Sequence, residues 1–309
     1  MTINGQTEQV LREVYEEART VHEGQLAGYI PELAAVDPDY FALSVCDADG
    51  SHVSIGDCDK PFTLQSVSKV LAHACVLSQV DEEELGIRVG VEPTGEDFDS
   101  IIKLDQHRRA FNPMVNTGAI AIADMLVSIY GKEAFAKSRS FFASTMGVDT
   151  LELDEAVFQS EFETGERNRA IAHLLNNFKL LKHPVETVLE LYFKHCSLRA
   201  NTDQLACFGA TLANGGCLPG SKERVLERTV VRKVLSVMLS CGMYNDAGRW
   251  IYEVGLPAKS GVSGCLLVVV PGQMGIAVYS PRIDDRGTSV RGLLALRLLS
   301  QRLNLHLFA

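Results

Sequence analysis

The N-terminal part of the chain shows the apolar spacing of an amphipathic helix. Between residues 7 and 30, the apolar residues Val10, Leu11 and Val14 are interspersed with charged residues, and Pro31 follows. Residues at this spacing cover one face of a helix, and a proline removes a backbone hydrogen bond from a helix interior. The pattern predicts one helix within residues 7–30 that ends near Pro31.

Short strand-like segments occur near both ends of the chain. The first two, FALSVCD and HVSIGD, are separated by a turn-forming Ala-Asp-Gly, which is typical of a β-hairpin. Three further segments follow Trp250 and are punctuated by glycine and proline. They are WIYEVGLPAKSG, CLLVVVPG and MGIAVYSP. We therefore expect two strands early in the chain and about three strands late.

The middle of the chain, from about residue 95 to 245, has mostly helical patterns. One of these predicted helices, TDQLACFGATLAN, has Thr202 or Asp203 as a candidate N-cap and Gly215–Gly216 as a stop. Residues 287–304 form a further apolar helix pattern at the end. The acidic segment 81–100 is predicted to be a solvated loop.

This order of elements predicts an α/β (α+β) protein in which strands from both ends form one antiparallel sheet. Residues 1–62 and 246–309 together would form the sheet domain, flanked by helices. Residues 63–245 would form an inserted, mostly helical domain, and an apolar helix around Ser66 would begin it.

The composition narrows the class of protein. The chain has 309 residues, a hydrophobic content of 46% and a net charge of −10. An acidic chain lacks the basic surface that a nucleic acid or an anionic membrane requires. No apolar run approaches the roughly 20 residues of a membrane helix, and the N-terminus lacks a secretory signal pattern. We expect a cytoplasmic protein that binds neither nucleic acid nor membrane.

The eight cysteines are scattered along the sequence without a C-x-x-C pair, and the eight histidines do not cluster with them in sequence. Metal sites need grouped ligands, and cytosolic thiols are kept reduced. The sequence therefore predicts ordinary buried thiols and no metal site.

Ser66 and Lys69 form an S-x-x-K motif at the start of the predicted helix. Residues three apart lie on one helix face, and the helix N-terminus favours negative charge on the serine oxygen. A neutral lysine there can accept the serine proton. The motif alone is uninformative, because Ser100 and Lys103 match it as well.

Lys259–Ser260–Gly261 is the only K-[ST]-G sequence in the chain and lies on a predicted strand. A second lysine beside Lys69 would lower one of the two pKa values, as a general base requires. The glycine permits close approach of a ligand, and the N–H groups of Ser66 and Val262 could form an oxyanion hole.

Together the two motifs resemble those of the serine β-lactamase and penicillin-binding-protein superfamily, although no S-D-N motif is present. Over essentially its whole length the chain is more specifically similar to the bacterial serine-dependent glutaminase family. This similarity rests on the segments AGYIPELA (27–34), LQSVSK (64–69), FNPMVNTGAI (111–120), SEFETGERNRA (160–170), CGMYN (241–245) and AKSGVSG (258–264), together with the helix that contains Tyr192. The resemblance implies the β-lactamase-like fold, with an inserted helical domain.

The resemblance also implies roles for individual residues. Ser66 matches the nucleophile and Lys69 its partner base. The full predicted set is Ser66, Lys69, Lys259, Tyr192 and Tyr244 for catalysis, and Tyr29, Gln65, Ser66, Asn116, Glu161, Asn168, Tyr192, Tyr244, Ser260 and Val262 for substrate binding. Free glutamine explains these residue types, because Glu161 can pair with its α-ammonium group and the two asparagines can donate to its α-carboxylate.

The implied reaction is hydrolysis of L-glutamine to L-glutamate and ammonia through a γ-glutamyl ester of Ser66, without metal or organic cofactor. A homodimer or homotetramer is also expected from the resemblance. Two alternatives remain open at this point. One is an esterase or peptidase of the same fold, which would not need Glu161, and the other is a catalytically silent protein that binds glutamine.

Overall fold

The computed structural model describes residues 3–28, 30–94, 104–105 and 108–309. The strands are β1 Ala42–Asp47, β2 His52–Gly56, β3 Phe62–Thr63, β4 Arg199–Ala200, β5 Ala258–Ser260, β6 Cys265–Val270 and β7 Met274–Tyr279. The helices are α1 Gly5–Ala18, α2 Pro31–Ala34, α3 Ser68–Leu77, α4 Glu82–Arg88, α5 Asn116–Tyr130, α6 Ala134–Met146, α7 Glu155–Thr164, α8 Glu166–Asn177, α9 Val185–Cys196, α10 Thr202–Ala213, α11 Arg228–Cys241, α12 Ala247–Glu253 and α13 Val290–Arg302.

Strands from both ends of the chain form one antiparallel sheet, as predicted. Its order is β2-β1-β7-β6-β5, so an N-terminal strand, β1, lies directly beside the last strand, β7. A separate pair, β3 and β4, lies next to the entry to α3. The mixed helix and antiparallel-sheet class is confirmed, whereas the division into two domains stays a prediction.

The two faces of the sheet pack against different helices, because side chains alternate along each strand. On one face, Leu43, Leu266 and Ile276 join residues of α1 and α13 in one hydrophobic cluster. On the other face, Leu267 and Ala277 join a cluster that includes α10 and the helical middle of the chain. The sheet therefore separates the terminal helices from the inserted helices.

Helix α10 lies unusually close to β7. A Cβ atom placed on Gly275 would be 2.3 Å from the backbone oxygen of Ala206 and 2.3 Å from the backbone nitrogen of Ala210. No side chain fits at that separation, so glycine is required for the contact. The capping residue of α10 is Asn201, which forms a capping box with Gln204, rather than the predicted Thr202 or Asp203.

The predicted helix over residues 7–30 is wrong in its second half. Helix α1 ends at Ala18, and Gln25 instead forms a β-bridge with Ile283. Pro31 begins α2 rather than ending a helix, because its fixed φ and missing N–H suit the first helical position.

Two other predicted segments differ from the structure. Trp250 lies in α12, where its indole N–H donates to the backbone oxygen of Leu256, and the strand is limited to Ala258–Ser260. The acidic segment contains α4, whose three consecutive glutamates occupy the first turn, where the helix dipole favours negative charge. Residues 95–100 of that segment fall outside the described residues, as do both members of the second S-x-x-K motif, Ser100 and Lys103. Across the described part of the chain, every helix is too short or too polar to span a membrane.

Candidate active site

Ser66 and Lys69 face each other at the start of the apolar helix. Ser66 lies in a 3-10 turn, Gln65–Val67, that leads directly into α3. The Lys69 ammonium group donates a hydrogen bond to Ser66 Oγ at 2.7 Å. Burial lowers the pKa of Lys69 to about 8, so about a tenth of the lysine is neutral at pH 7. The predicted i,i+3 pairing is therefore present.

Gln65 adopts a left-handed backbone conformation, with φ at +45°, immediately before Ser66. A non-glycine residue rarely adopts this conformation, and such residues occur where the surrounding structure imposes a local geometry. Here the turn directs the Gln65 amide toward Glu161, with Nε2 2.7 Å from Oε1. One short turn thus positions both the serine and a partner for the acidic residue.

Asn116 connects Lys69 to the opposite wall of the site. It is the first residue of α5, and its Oδ1 accepts a hydrogen bond from Lys69 Nζ at 2.7 Å. Its Nδ2 donates to Asn168 Oδ1 on α8 at 2.9 Å. These bonds fix the orientation of the Asn116 amide and leave the Asn168 amide N–H groups able to donate elsewhere.

Glu161 lies on α7 and is buried, with 8% of its surface exposed. Burial raises its pKa to about 7, while the hydrogen bond from Gln65 and the charge of Lys69 act in the opposite direction. A buried carboxylate without a full counter-charge is costly. A cationic group of a ligand would therefore be attracted strongly to this position.

Lys259 is fully buried on β5, and its ammonium group donates to the backbone oxygen of Ser260 at 2.7 Å. The Lys259 and Lys69 nitrogens lie 3.9 Å and 5.9 Å from the centroid of the same Tyr244 ring. Burial, and then the charge of Lys69, lower the pKa of Lys259 well below its usual value. The predicted proximity of the two lysines, and the predicted pKa depression, are both found.

Tyr244 and Tyr192 are phenols with raised pKa values. Burial is the largest cause for each, and hydrogen bonding with Ser66 partly opposes it for Tyr244. Tyr244 also has a left-handed backbone, with φ at +54°, in a 3-10 turn before α12. Both phenols therefore remain protonated at neutral pH.

A cavity of about 410 Å³ opens beside Ser66. Its walls contain seven residues of the predicted set: Gln65, Ser66, Asn116, Glu161, Asn168, Tyr192 and Val262. None of the other predicted residues that the structure describes lines the cavity: Lys69, Lys259 and Ser260 are buried, and Tyr244 is half-buried. Tyr29 lies outside the described residues.

The cavity also contains residues that the sequence did not indicate. They are Ile30, Thr164, Gly165, Arg167, Phe193 and Cys196. Arg167 is exposed and directly precedes Asn168, so the segment that carries Glu161 and Asn168 also carries a cation. The need of a free α-carboxylate for a nearby cation was the one signal that could have identified it.

A family model described as Glutaminase matches residues 24–308. The chain belongs to the glutaminase family. Membership of this family makes the protein an enzyme of the hydrolase class. The predicted family resemblance is therefore confirmed.

Individual relatives agree with this family. A glutaminase of Trichormus variabilis is 46% identical over 299 residues, which are 97% of this chain and 89% of that protein. Glutaminase 2 of Clostridium perfringens is 40% identical over 290 residues, covering 93% and 95% of the two chains. Sequence similarity thus extends over nearly the whole of both proteins.

Solved structures show the same fold. The structure described as probable glutaminase ybaS superposes with a TM-score of 0.93 at 36% identity, covering 99% of each chain. A structure of Mglu in its tris and glutamate form has a TM-score of 0.93 at 35% identity, covering 99% of this chain and 68% of that one. The predicted β-lactamase-like architecture is therefore that of solved glutaminases.

Proposed function

We propose that this glutaminase hydrolyses L-glutamine to L-glutamate and ammonia through a γ-glutamyl ester of Ser66. The observation that carries the proposal is the 2.7 Å contact between Ser66 Oγ and Lys69 Nζ, together with the burial that lowers the pKa of Lys69 to about 8. A serine is a weak nucleophile unless an adjacent base removes its proton. Lys69 is such a base once it has lost its own proton.

In the first half-reaction, neutral Lys69 takes the Ser66 proton while Oγ bonds to the γ-carbonyl carbon of glutamine. The carbonyl electron pair moves to oxygen, and the backbone N–H groups of Ser66 and Val262 would stabilise that oxyanion. Collapse of the intermediate breaks the C–N bond. The leaving nitrogen takes up the proton that Lys69 received from Ser66 and departs as ammonia, so Lys69 is neutral again and the γ-glutamyl ester remains on Ser66.

In the second half-reaction, water attacks the ester carbon and passes a proton to Lys69. Collapse of the second tetrahedral intermediate breaks the bond to Ser66 Oγ, which regains its proton, and glutamate is released. Tyr244 would act as a donor near Ser66 in both halves, since its raised pKa keeps the phenol protonated. Tyr192, in the cavity wall, would donate in the same manner.

The position of Glu161 supports recognition of a free amino acid. A substrate α-ammonium group would supply the counter-charge that this buried carboxylate lacks, and it would hold Glu161 ionised. Asn168 and Asn116 would contact the α-carboxylate, with the exposed Arg167 as a more distant cation. Gln65 would orient Glu161, whereas Ser260 and Tyr29 would complete the substrate pocket.

Lys259 would act on the protonation of Lys69 rather than by accepting the serine proton. Because Lys69 and Lys259 face one tyrosine ring inside the protein, protonation of both is unfavourable. A proton on Lys259 would therefore favour the neutral, basic form of Lys69.

The decisive experiment measures ammonia release from L-glutamine, D-glutamine and L-asparagine by the wild type and by Ser66→Ala. We expect release from L-glutamine, loss of at least about 10³-fold in Ser66→Ala, and unchanged activity in Ser144→Ala, whose serine is on the surface. Mass spectrometry of rapidly quenched enzyme should find a γ-glutamyl adduct on the peptide that contains Ser66. Turnover by Ser66→Ala near the wild-type rate would contradict the covalent route.

Glu161→Ala separates the glutaminase from an esterase of the same fold. The variant should lose glutamine hydrolysis and keep any hydrolysis of an uncharged ester. A silent glutamine-binding protein would instead bind glutamine without turnover in both wild type and Ser66→Ala. These three outcomes are mutually exclusive.

We further propose that the protein works in the cytoplasm as a homodimer or homotetramer. The eight free cysteines are compatible with a reducing compartment, and the family resemblance supports self-association. Light scattering coupled to size-exclusion chromatography would measure the molar mass, and a monomer across micromolar concentrations would contradict the second statement. Cell fractionation would test the first.

A further inference from the structure

Three side chains with metal-binding atoms meet at the end of the sheet opposite Lys259. A cysteine sulfur of Cys46, a ring nitrogen of His52 and the sulfur of Cys207 all lie within 4.8 Å of one another. In the described part of the chain this is the one cluster of three such groups. It lies outside the candidate active site, since none of the three lines the cavity beside Ser66.

Regular secondary structure holds the three residues together. Cys46 on β1 and His52 on β2 are directly opposite each other in the strand register. Cys207 lies on α10, which packs across β1 and β7. Cysteines and histidines that are far apart in the sequence therefore do cluster in the fold, contrary to expectation. The sequence could not show this, because Cys207 is 161 positions from Cys46. Sites built on strands and helices are better preorganised than sites on loops.

The spacing of the sulfurs fits a shared metal ion. The two Sγ atoms are 3.8 Å apart. In a tetrahedral zinc site, Zn–S bonds of about 2.3 Å place two sulfurs about 3.8 Å apart. A disulfide requires about 2.05 Å, so the two side chains would have to move toward each other to be oxidised.

A carboxylate lies next to the histidine, as is usual around metal-bound imidazoles. Asp203 Oδ1 is 3.0 Å from His52 Nε2 and accepts hydrogen bonds from Ser44 Oγ and Ser54 Oγ, each at 2.6 Å. Asp203 lies one turn before Cys207 on the same face of α10. The carboxylate is thus fixed by two strands and can orient the imidazole ring.

The cluster is accessible to a cation from solvent, because His52 and Cys207 are partly exposed. Binding of the ion would displace the proton of each thiol, since thiolates rather than thiols are the metal ligands.

We propose that Cys46, His52 and Cys207 form a binding site for a thiophilic divalent cation of the zinc class, with Asp203 as the positioning residue for His52. The three ligands leave a fourth position for water. The ion would join β1, β2 and α10 and would act on the stability of the fold rather than on the reaction at Ser66. The proposal does not depend on the proposed glutamine hydrolysis.

The test uses Co²⁺ as a spectroscopic probe with the reduced full-length protein in chelator-free buffer. We expect a thiolate-to-cobalt charge-transfer band and tetrahedral ligand-field bands that saturate at one ion per chain and disappear when Zn²⁺ is added. Cys207→Ser and His52→Ala should weaken cobalt binding by about 100-fold, and Asp203→Asn by about tenfold. The matched control Cys217→Ser, which removes a partly exposed cysteine outside the cluster, should bind as the wild type does.

Thermal unfolding provides a second, independent readout. Zn²⁺ should raise the Tm of the wild type but not that of Cys207→Ser, and ammonia release should be the same in both proteins. Melting without metal first establishes that each variant is folded. Three results would overturn the proposal: no cobalt bands in the reduced wild type, bands that persist in Cys207→Ser, or a reduced protein that forms a Cys46–Cys207 disulfide and takes up no metal.

Discussion

Lys259 Nζ lies 3.9 Å from the centroid of the Tyr244 ring and has no exposed surface. A cation over an aromatic face is stabilised by the ring, whereas burial opposes the charge. The ring thus offsets part of the cost of a second lysine beside Lys69. Tyr244 links the two lysines structurally, because Lys69 approaches the same ring.

Replacing Lys259 with methionine should abolish most activity while preserving the fold. The side chains have similar length, so the packing of β5 is retained, but the amino group beside Lys69 is lost. We expect kcat/KM for glutamine to fall by about 10²- to 10⁴-fold with an equal or higher Tm. Lys222→Met, which changes an exposed lysine, serves as the control. Full activity in Lys259→Met would exclude any role of this lysine in the reaction.

Substrate affinity should depend on pH through Glu161. Its pKa of about 7 means that the carboxyl group takes up a proton as the pH falls through neutrality. A protonated Glu161 cannot pair with an α-ammonium group, so KM should rise below about pH 7. The measurement is initial-rate kinetics at fixed ionic strength from pH 5.5 to 8.5, chosen to span about 1.5 units on either side of that pKa. A KM that stays constant over this range would contradict the assignment of Glu161.

The turnover of bound substrate should depend on pH through Lys69. Deprotonation of Lys69, with its pKa of about 8, creates the base that Ser66 needs. We therefore expect kcat to rise as the pH increases through about 8 and to level off about one unit above that pKa. Lys69→Met should remove this rise together with most of the activity. A kcat that falls over the same interval would show that protonated Lys69 is the active form.

The buried carboxylate of Glu161 should also limit the stability of the protein. The pKa of Glu161 is about 7 in the folded state and 4.5 in its ordinary environment, so the folded state holds a proton between these values that the unfolded state has lost. The free energy of unfolding therefore falls as the pH rises through this window. Glu161→Gln removes this penalty and retains an acceptor for Gln65.

We expect Glu161→Gln to have a higher free energy of unfolding than the wild type, and this difference should be larger at pH 8 than at pH 4 by about 3 kcal/mol. The figure is the pKa difference converted at 1.36 kcal/mol per unit. Urea unfolding of both proteins at the two pH values measures this difference. All other titrating groups are common to both, so their contributions cancel. An advantage that does not change with pH would contradict the burial of an ionised Glu161.

Gly275→Ala should destabilise the sheet where α10 crosses it. The new methyl carbon would overlap the backbone of Ala206 and Ala210, so the helix would have to move away from β7. Overpacking of this kind costs about 1–3 kcal/mol, measured as a lower urea midpoint. Gly248→Ala is the matched control, because no atom lies within 4 Å of its new methyl group. Equal midpoints for the two variants would show that the contact is easily relaxed.

The local sequence pattern correctly predicted those elements whose contacts are made with residues nearby in the sequence. The β1–β2 hairpin, the long helices α5 and α9 and the Ser66–Lys69 pair all follow from periodicity over a few residues. The predictions that were wrong concern elements whose structure depends on contacts with distant parts of the chain. Helix α1 stops at Ala18 and a residue of the following segment, Gln25, pairs with Ile283, whereas Trp250 is buried on a helix rather than on a strand.

The long-range contacts of the site came from family resemblance, since spacing cannot show them. Lys69 and Asn116 are 47 positions apart, and Gln65 and Glu161 are 96 positions apart. Arg167 and the Cys46–His52–Cys207 cluster had neither a motif nor a resemblance to indicate them. Their possible roles can be recognised only from the three-dimensional arrangement of the helices and strands. The catalytic and binding roles themselves stay predictions until the variants are measured.

The pairing of β1 with β7 has a consequence for the synthesis of the protein. Residues 42–47 find their partners only at residues 274–279, so the centre of the sheet cannot close until the last strand has left the ribosome. The turn that carries Ser66 forms from early residues, but Lys259 arrives on one of the late strands. Because the ribosome adds about 5–20 residues per second, a nascent chain contains Ser66 for many seconds before Lys259 has been made. The arrangement of Ser66, Lys69 and Lys259 therefore forms only once nearly the whole chain has been made.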